Sequence, residues 1–273
     1  MTFVPTCLLI RHGRTTSNAN GTLAGWTEGV ALDDTGRRQA SDLAGRLRGL
    51  PIRVVVSSPL QRCVETAGII VSALVDVAME TDERVGECRY GSWTGASLSE
   101  LATKPLWRTV QDQPSAARFP DSEKFAGESI AEMQARALQA VREIDIRVGA
   151  DHGPQALWAL VSHGDVIKSI LADAAGAHLD HFQRFLVGPA SLSVVSYTDR
   201  RPFMVRVNDE GADLSCLIPP PPLLAGDATV GGSTGGDTDS LEAGSTNAGS
   251  TNAESTNAES TNVRGGRPVH GGG

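Results

Sequence analysis

Cys7-Leu8-Leu9-Ile10-Arg11-His12-Gly13-Arg14-Thr15 opens on four apolar residues and then breaks into charge. Such a short run, cut off at once by polar residues, predicts a buried strand ending at a sheet edge. The pattern recurs downstream. Val54-Val55-Val56 leads into Ser57-Ser58-Pro59, and Ala156 to Val161 lead into Ser162-His163-Gly164. Helical spacing fills the intervals. A helix is expected after Asp33-Asp34-Thr35, with Ala40, Leu43, Ala44, Leu47 and Leu50 on one face. Ser58 and Pro59 offer an N-cap and a first-turn proline for a helix through about Ala73. Ser129-Ile130-Ala131-Glu132 has the form of a capping box ahead of Met133, Ala137, Val141, Ile144 and Val148. A further helix is expected from about Asp165, and Leu192 to Tyr197 and Phe203 to Val207 read as a strand pair.

Strands alternating with helices predict an α/β fold: a mostly parallel central sheet with helices on both faces, in three α/β/α layers. In such sheets ligands gather at the carboxyl ends of the strands. Hydrophobic residues make up 40% of the 273, enough for one sizeable core over most of the length. The net charge is −8, and from Ile218 onward there are six acidic and two basic residues, so about half of the excess lies there. The remainder is mildly acidic, which argues against generic nucleic-acid binding. Cys7, Cys63, Cys88 and Cys216 are scattered without a C-x-x-C pair, as expected of reduced cysteines in a cytoplasmic protein. The first residues lack a basic segment followed by a long apolar run, and no stretch reaches the roughly 18 apolar residues of a membrane span. Residues 1–217 are therefore expected to form one domain. Residues 218–273 begin in a proline run and carry a five-residue Ser-Thr-Asn-Ala-Gly/Glu repeat, a composition that predicts a disordered tail.

The strand ends carry the chemistry. Arg11, His12 and Gly13 follow the first strand; Ser57, Ser58 and, one turn on, Arg62 follow the second; Ser162, His163 and Gly164 follow the third. Two histidines and two arginines thus fall at one sheet edge. Guanidinium groups match phosphate oxygens with paired, charge-assisted hydrogen bonds. Neutral imidazole is a competent nucleophile, and neighbouring cations disfavour its charged form. The glycines beside each histidine are expected to let a ligand approach the backbone. Two histidines with a carboxylate also suit iron or zinc, a reading that Arg11 and Arg62 oppose by repelling a cation. No metal and no cofactor is expected. Neither a phosphate-binding G-x-x-x-x-G-K-[ST] loop nor a G-x-S-x-G elbow occurs.

In these segments the chain resembles the histidine phosphatase superfamily, which includes the phosphoglycerate mutases. The resemblance runs through Leu9-Ile10-Arg11-His12-Gly13-Arg14-Thr15-Thr16-Ser17-Asn18, then Ser57 to Ala67 with Arg62, then Glu87-Cys88-Arg89-Tyr90-Gly91-Ser92-Trp93, then Gly127-Glu128-Ser129, then Val161-Ser162-His163-Gly164. It implies a phosphoglycerate mutase-like fold and a role at each matched position. His12 would accept the phosphoryl group, while Arg11, Arg62 and His163 would neutralise phosphate charge and Asn18 would add a hydrogen bond. Glu87 would protonate the leaving oxygen and then deprotonate the attacking water. Spacing alone would have left Glu87 a surface carboxylate. Arg14 stands where many relatives carry Glu or Gln; it either attracts a second acidic group on the substrate or is a plain surface arginine.

Two outcomes fit such a pocket. A phosphatase admits water to the phosphohistidine; a mutase returns the phosphate to its substrate. The resemblance implies a longer basic insertion after the glutamate motif in cofactor-dependent mutases. Here residues 98–126 hold Lys104, Arg108, Arg118 and Lys124 balanced by Glu100, Asp112, Asp121 and Glu123. That balance favours metal-independent hydrolysis of a small phosphorylated metabolite. The same stretch also resembles an actinobacterial branch labelled probable phosphomutase. A catalytically silent binding module is the third reading. Leaving-group recognition is expected from residues 98–126 and from Leu23 to Trp26, and self-association is left open.

Overall fold

A computed structural model describes residues 5–211 and Gly231. The expected disordered tail, Gly231 apart, lies outside the described residues. Among them, β1 (Thr6–Arg11), β2 (Ile52–Ser57), β3 (Ala78–Thr81), β4 (Leu157–Ser162), β5 (Leu192–Ser196) and β6 (Phe203–Asp209) form one sheet in the order β3-β2-β4-β1-β5-β6. The first four run parallel; β5 pairs antiparallel with β1, and β6 antiparallel with β5. The helices are α1 (Thr16–Ala19), α2 (Asp34–Leu47), α3 (Gln61–Ser72), α4 (Leu98–Leu101), α5 (Pro105–Asp112), α6 (Ile130–His152) and α7 (Gly164–Ala174).

The layering follows from the two-residue period of the strands. On β1, Leu8 and Ile10 pack with Leu43, Ala44 and Leu47 of α2 and with Cys63, Ala67 and Ile70 of α3. Cys7 and Leu9 face the other way, toward Met133, Ala137 and Val141 of α6 and Ile167 and Ile170 of α7. Each such fully buried Leu or Ile contributes roughly 1.5–3 kcal/mol. Helix α6 starts as its sequence predicts: Ser129 accepts from Glu132 N while the Glu132 side chain accepts from Ser129 N. It is also tied to the sheet by Trp158 Nε1, which donates to Asp145 Oδ1 at 2.9 Å.

Two local expectations fail for physical reasons. Leu50 lies past the end of α2 and is exposed, because the helix gives way at Arg48 before the helical stripe returns to the core. Ser58 is not the N-cap of α3; that position is Leu60, with no side-chain cap. The Ser58 hydroxyl has a stronger engagement, a 2.8 Å hydrogen bond with His163 Nε2.

Candidate active site

The ends of β1, β2 and β4 lie side by side, since β4 pairs with both other strands. His12 N donates to Ser162 O at 3.0 Å, and Ser58 N to Val161 O at 2.9 Å, so the loops leaving the strands stay in register. Gly13 N donates to Thr66 Oγ1 at 3.1 Å. A Cβ on Gly13 would lie 2.5 Å from Gly36 O, and one on Gly36 would lie 2.0 Å from Arg14 O. The space beside Gly13 is therefore filled by the start of α2. That close approach, and not the approach of a ligand, is why glycine is needed there.

His12 Nδ1 lies 2.8 Å from Gly13 O, so this nitrogen carries the hydrogen and donates. That leaves the lone pair on Nε2, which accepts from Arg62 Nε at 3.3 Å. Burial, then Arg62 and Arg11, hold the His12 imidazole well below its ordinary proton affinity. It is a neutral base with a defined tautomer. Arg62 extends Nη2 to Gly25 O at 2.9 Å and to His163 Nδ1 at 3.2 Å. Its Nη1 is buried without a hydrogen-bond partner among the described residues. A buried guanidinium N–H left unmatched is costly, and an oxyanion would satisfy it.

His163 accepts from Arg62 at Nδ1 and donates from Nε2 to Ser58 Oγ. Burial, and next Arg62, depress its proton affinity well below the usual value. Without ligand it is neutral, so the positive charge of the site rests on the two guanidiniums. Arg11 is fully buried; Nη1 donates to Val187 O at 2.8 Å and Nη2 to Gly231 O at 3.3 Å. Burial lowers Arg11 to about 10, which keeps it charged at neutral pH.

Glu87 stands across from the histidines. Its Oε2 is 3.6 Å from His163 Nδ1 and 4.0 Å from Arg62 Nη2. Burial, followed by the charge of Asp165, raises its carboxyl to about 7 against the pull of Arg62 and Arg11. The Glu128 motif explains how this loop is held. Arg136 makes an ion pair with Glu128 and donates to the carbonyls of Arg84, Gly86 and Glu87 at 2.7, 2.8 and 2.9 Å. Asn18 is half-buried, and its Oδ1 is taken by Thr15 N and Oγ1 in the cap of α1. Asn18 lines the same pocket as His12, Arg62 and Glu87.

Of the segments expected to recognise the leaving group, Leu23, Ala24, Gly25 and Leu98 line the pocket, whereas Trp26 and residues 99–126 do not; Ser17, Thr22 and Gly231 line it as well. Arg14 fits neither alternative offered for it. It is buried, and its Nε is paired with Asp33 at 2.9 Å. Ser58, Tyr90, Arg136 and Asp165 were not singled out as site residues. A signal for Asp165 existed in its place two residues after His163. Among the described residues, no group of three or more His, Cys, Asp or Glu is placed to hold a metal ion, and no helix is long and apolar enough to cross a membrane.

Residues 7–210 match the model of the histidine phosphatase superfamily (branch 1). The chain belongs to that superfamily. It is similar to phosphoserine phosphatase 1 of Hydrogenobacter thermophilus, 28% identical over 203 residues covering 74% of this chain and 90% of the relative. A probable phosphoglycerate mutase GpmB of Yersinia pestis is 31% identical over 193 residues, 70% of this chain and 84% of its own. The solved structure of Bacillus stearothermophilus YhfR superposes with a TM-score of 0.65 at 25% identity, covering 74% of this chain and 95% of its own.

Proposed function

We propose that this protein is a metal-independent phosphomonoester hydrolase that works through a phosphohistidine at His12. The observation that carries the reading is the hydrogen bond from His12 Nδ1 to Gly13 O. It commits one ring nitrogen and presents the lone pair of the other beside Arg62, the state a nucleophile at phosphorus requires. His12 Nε2 attacks phosphorus as the P–O bond to the leaving group breaks. Arg11 and Arg62 stabilise the charge on the equatorial oxygens, and the Asn18 amide adds a donor. A dianion settling on Arg62 also relieves the repulsion on His163, which then gains a proton and a share of the charge. Glu87, raised to about 7, is protonated in a useful fraction at neutral pH and gives that proton to the leaving oxygen. As a carboxylate it then takes a proton from water. The water oxygen bonds to phosphorus, the bond to His12 breaks, and inorganic phosphate leaves.

The test is hydrolysis of an aryl phosphate in excess chelator. Turnover is expected; activity lost to chelator and restored by zinc would overturn the reading. A second outcome, phosphoryl return, is kept open by the relative named as a probable phosphoglycerate mutase. Phosphate release measured against isomer formation from 3-phosphoglycerate separates the two, with release expected to dominate. A binding module would show neither. The reading further assigns the protein a small phosphorylated metabolite as partner, with residues 218–273 as a tail that meets the catalytic domain at Gly231.

A further inference from the structure

Glu87 has a second carboxylate behind it that the steps above leave unused. Asp165, in the first turn of α7, is 2% exposed. Its Oδ2 accepts from Tyr90 OH at 2.8 Å and from Gly231 N at 3.0 Å, and its Oδ1 lies 3.6 Å from Lys168 Nζ. The same Tyr90 oxygen lies 3.3 Å from Glu87 Oε1, which also accepts from Cys88 N at 2.9 Å. We propose that Asp165, acting through the Tyr90 hydroxyl, is a positioning residue that keeps the catalytic proton on Glu87.

A phenol has one hydrogen to donate. The 2.8 Å contact with Asp165 takes it in preference to the 3.3 Å contact with Glu87. The Tyr90 oxygen then meets Glu87 with lone pairs, and this contact is a hydrogen bond only while Glu87 carries a proton. Ionised, Glu87 would face that oxygen and, beyond it, the charge of Asp165, in a buried setting where unmatched charge is costly. The other charged or titratable groups facing Glu87 are Arg62 and Cys63 from α3, the adjoining Cys88, His163 at the start of α7, Lys168 within α7 and Arg11 at the end of β1. Burial, and next Asp165, favour the acid, while the arginines and the Cys88 N–H favour the carboxylate; the balance lifts Glu87 to about 7. The proton balance of catalysis is unchanged: Glu87 loses its proton to the leaving oxygen and recovers one from water. Asp165 acts on the first event, by keeping Glu87 protonated ahead of it.

This inference rests on the phosphatase reading for its kinetic consequence but not for its physical one. The test is therefore a pair of measurements on the full-length Asp165→Asn protein, which keeps an acceptor for Tyr90 and removes the charge. Carboxyl-labelled glutamate, with the Glu87 resonance assigned by its absence in Glu87→Gln, gives the titration midpoint directly by NMR. The midpoint is expected to fall by about one pH unit or more. Turnover of an alkyl phosphate, which needs the acid, is expected to fall about fivefold at about pH 7 for the first unit of that shift and about tenfold for each further unit, with its alkaline limb displaced downward. Turnover of an aryl phosphate, with its better leaving group, is expected to change little. An unmoved midpoint overturns the proposal, as does an equal loss on both substrates, which would indicate a merely structural role. If the unaltered protein hydrolyses no phosphomonoester, the phosphatase reading fails while the NMR midpoint still decides the coupling. Should Asp165→Asn not fold, Asp165→Ser also keeps an oxygen and removes the charge, with the same midpoint shift expected.

Discussion

Replacing Glu87 by Gln removes an ionisable carboxyl from a nearly fully buried position while keeping its shape. The structure raises this carboxyl to about 7, whereas an unfolded chain holds a glutamate near its ordinary ~4.3. A group raised on folding stabilises fully below the unfolded value and loses that contribution as pH climbs to the folded value. Between about pH 5 and about pH 7 the native protein keeps a proton that the unfolded chain has released. At ~1.4 kcal/mol per pH unit this is a loss of roughly 3 kcal/mol, complete by about pH 8. Glu87→Gln has no such loss. Urea unfolding of both proteins at about pH 5 and about pH 8 yields a difference of differences in which groups common to both largely cancel. The variant is expected to gain roughly 3 kcal/mol on the parent between the two conditions. A gap that is the same at both pH values would refute the reasoning, because Glu87 would then titrate as an ordinary carboxylate.

Ser58→Ala removes the partner of His163 Nε2 and frees the ring to turn; turnover is expected to fall about tenfold or more, as when an oriented ligand group loses its support, with stability within about 1–2 kcal/mol by urea unfolding. Gly36→Ala would place a methyl 2.0 Å from Arg14 O, so the His12 loop must shift; a loss of about 1–3 kcal/mol together with impaired turnover is expected, and parental stability and activity would show that α2 adjusts freely. Truncation after Leu217 removes the Gly231 carbonyl from Arg11; turnover is expected to be retained, and a large loss would make that contact part of the working site.

The parts of the fold legible in the sequence were those in which one local signal suffices. Four apolar residues before Arg11 and three valines before Ser57 became β1 and β2, and the Ser129/Glu132 box became the start of α6. Strand β3 was missed because Ala78-Met79-Glu80-Thr81 sits at the sheet edge with no fully buried residue, so its composition never had to turn apolar. The site divided along similar lines. His12, Arg62 and His163 were reachable from their places after strands. Glu87 came only from the family resemblance, since it lies in a loop with no periodicity to read. Tyr90 meets Asp165 across 75 residues of sequence and Arg136 meets the Glu87 carbonyl across 49; no spacing rule carries such information.

The most direct test of the account is chemical trapping at His12. Protein mixed with an aryl phosphate in excess chelator, quenched within a turnover and digested, should carry an acid-labile, base-stable phosphoryl group on the peptide containing Arg11-His12-Gly13, and His12→Ala should carry none. Steady turnover with no phosphoryl group on that peptide, or turnover undiminished in His12→Ala, would contradict it.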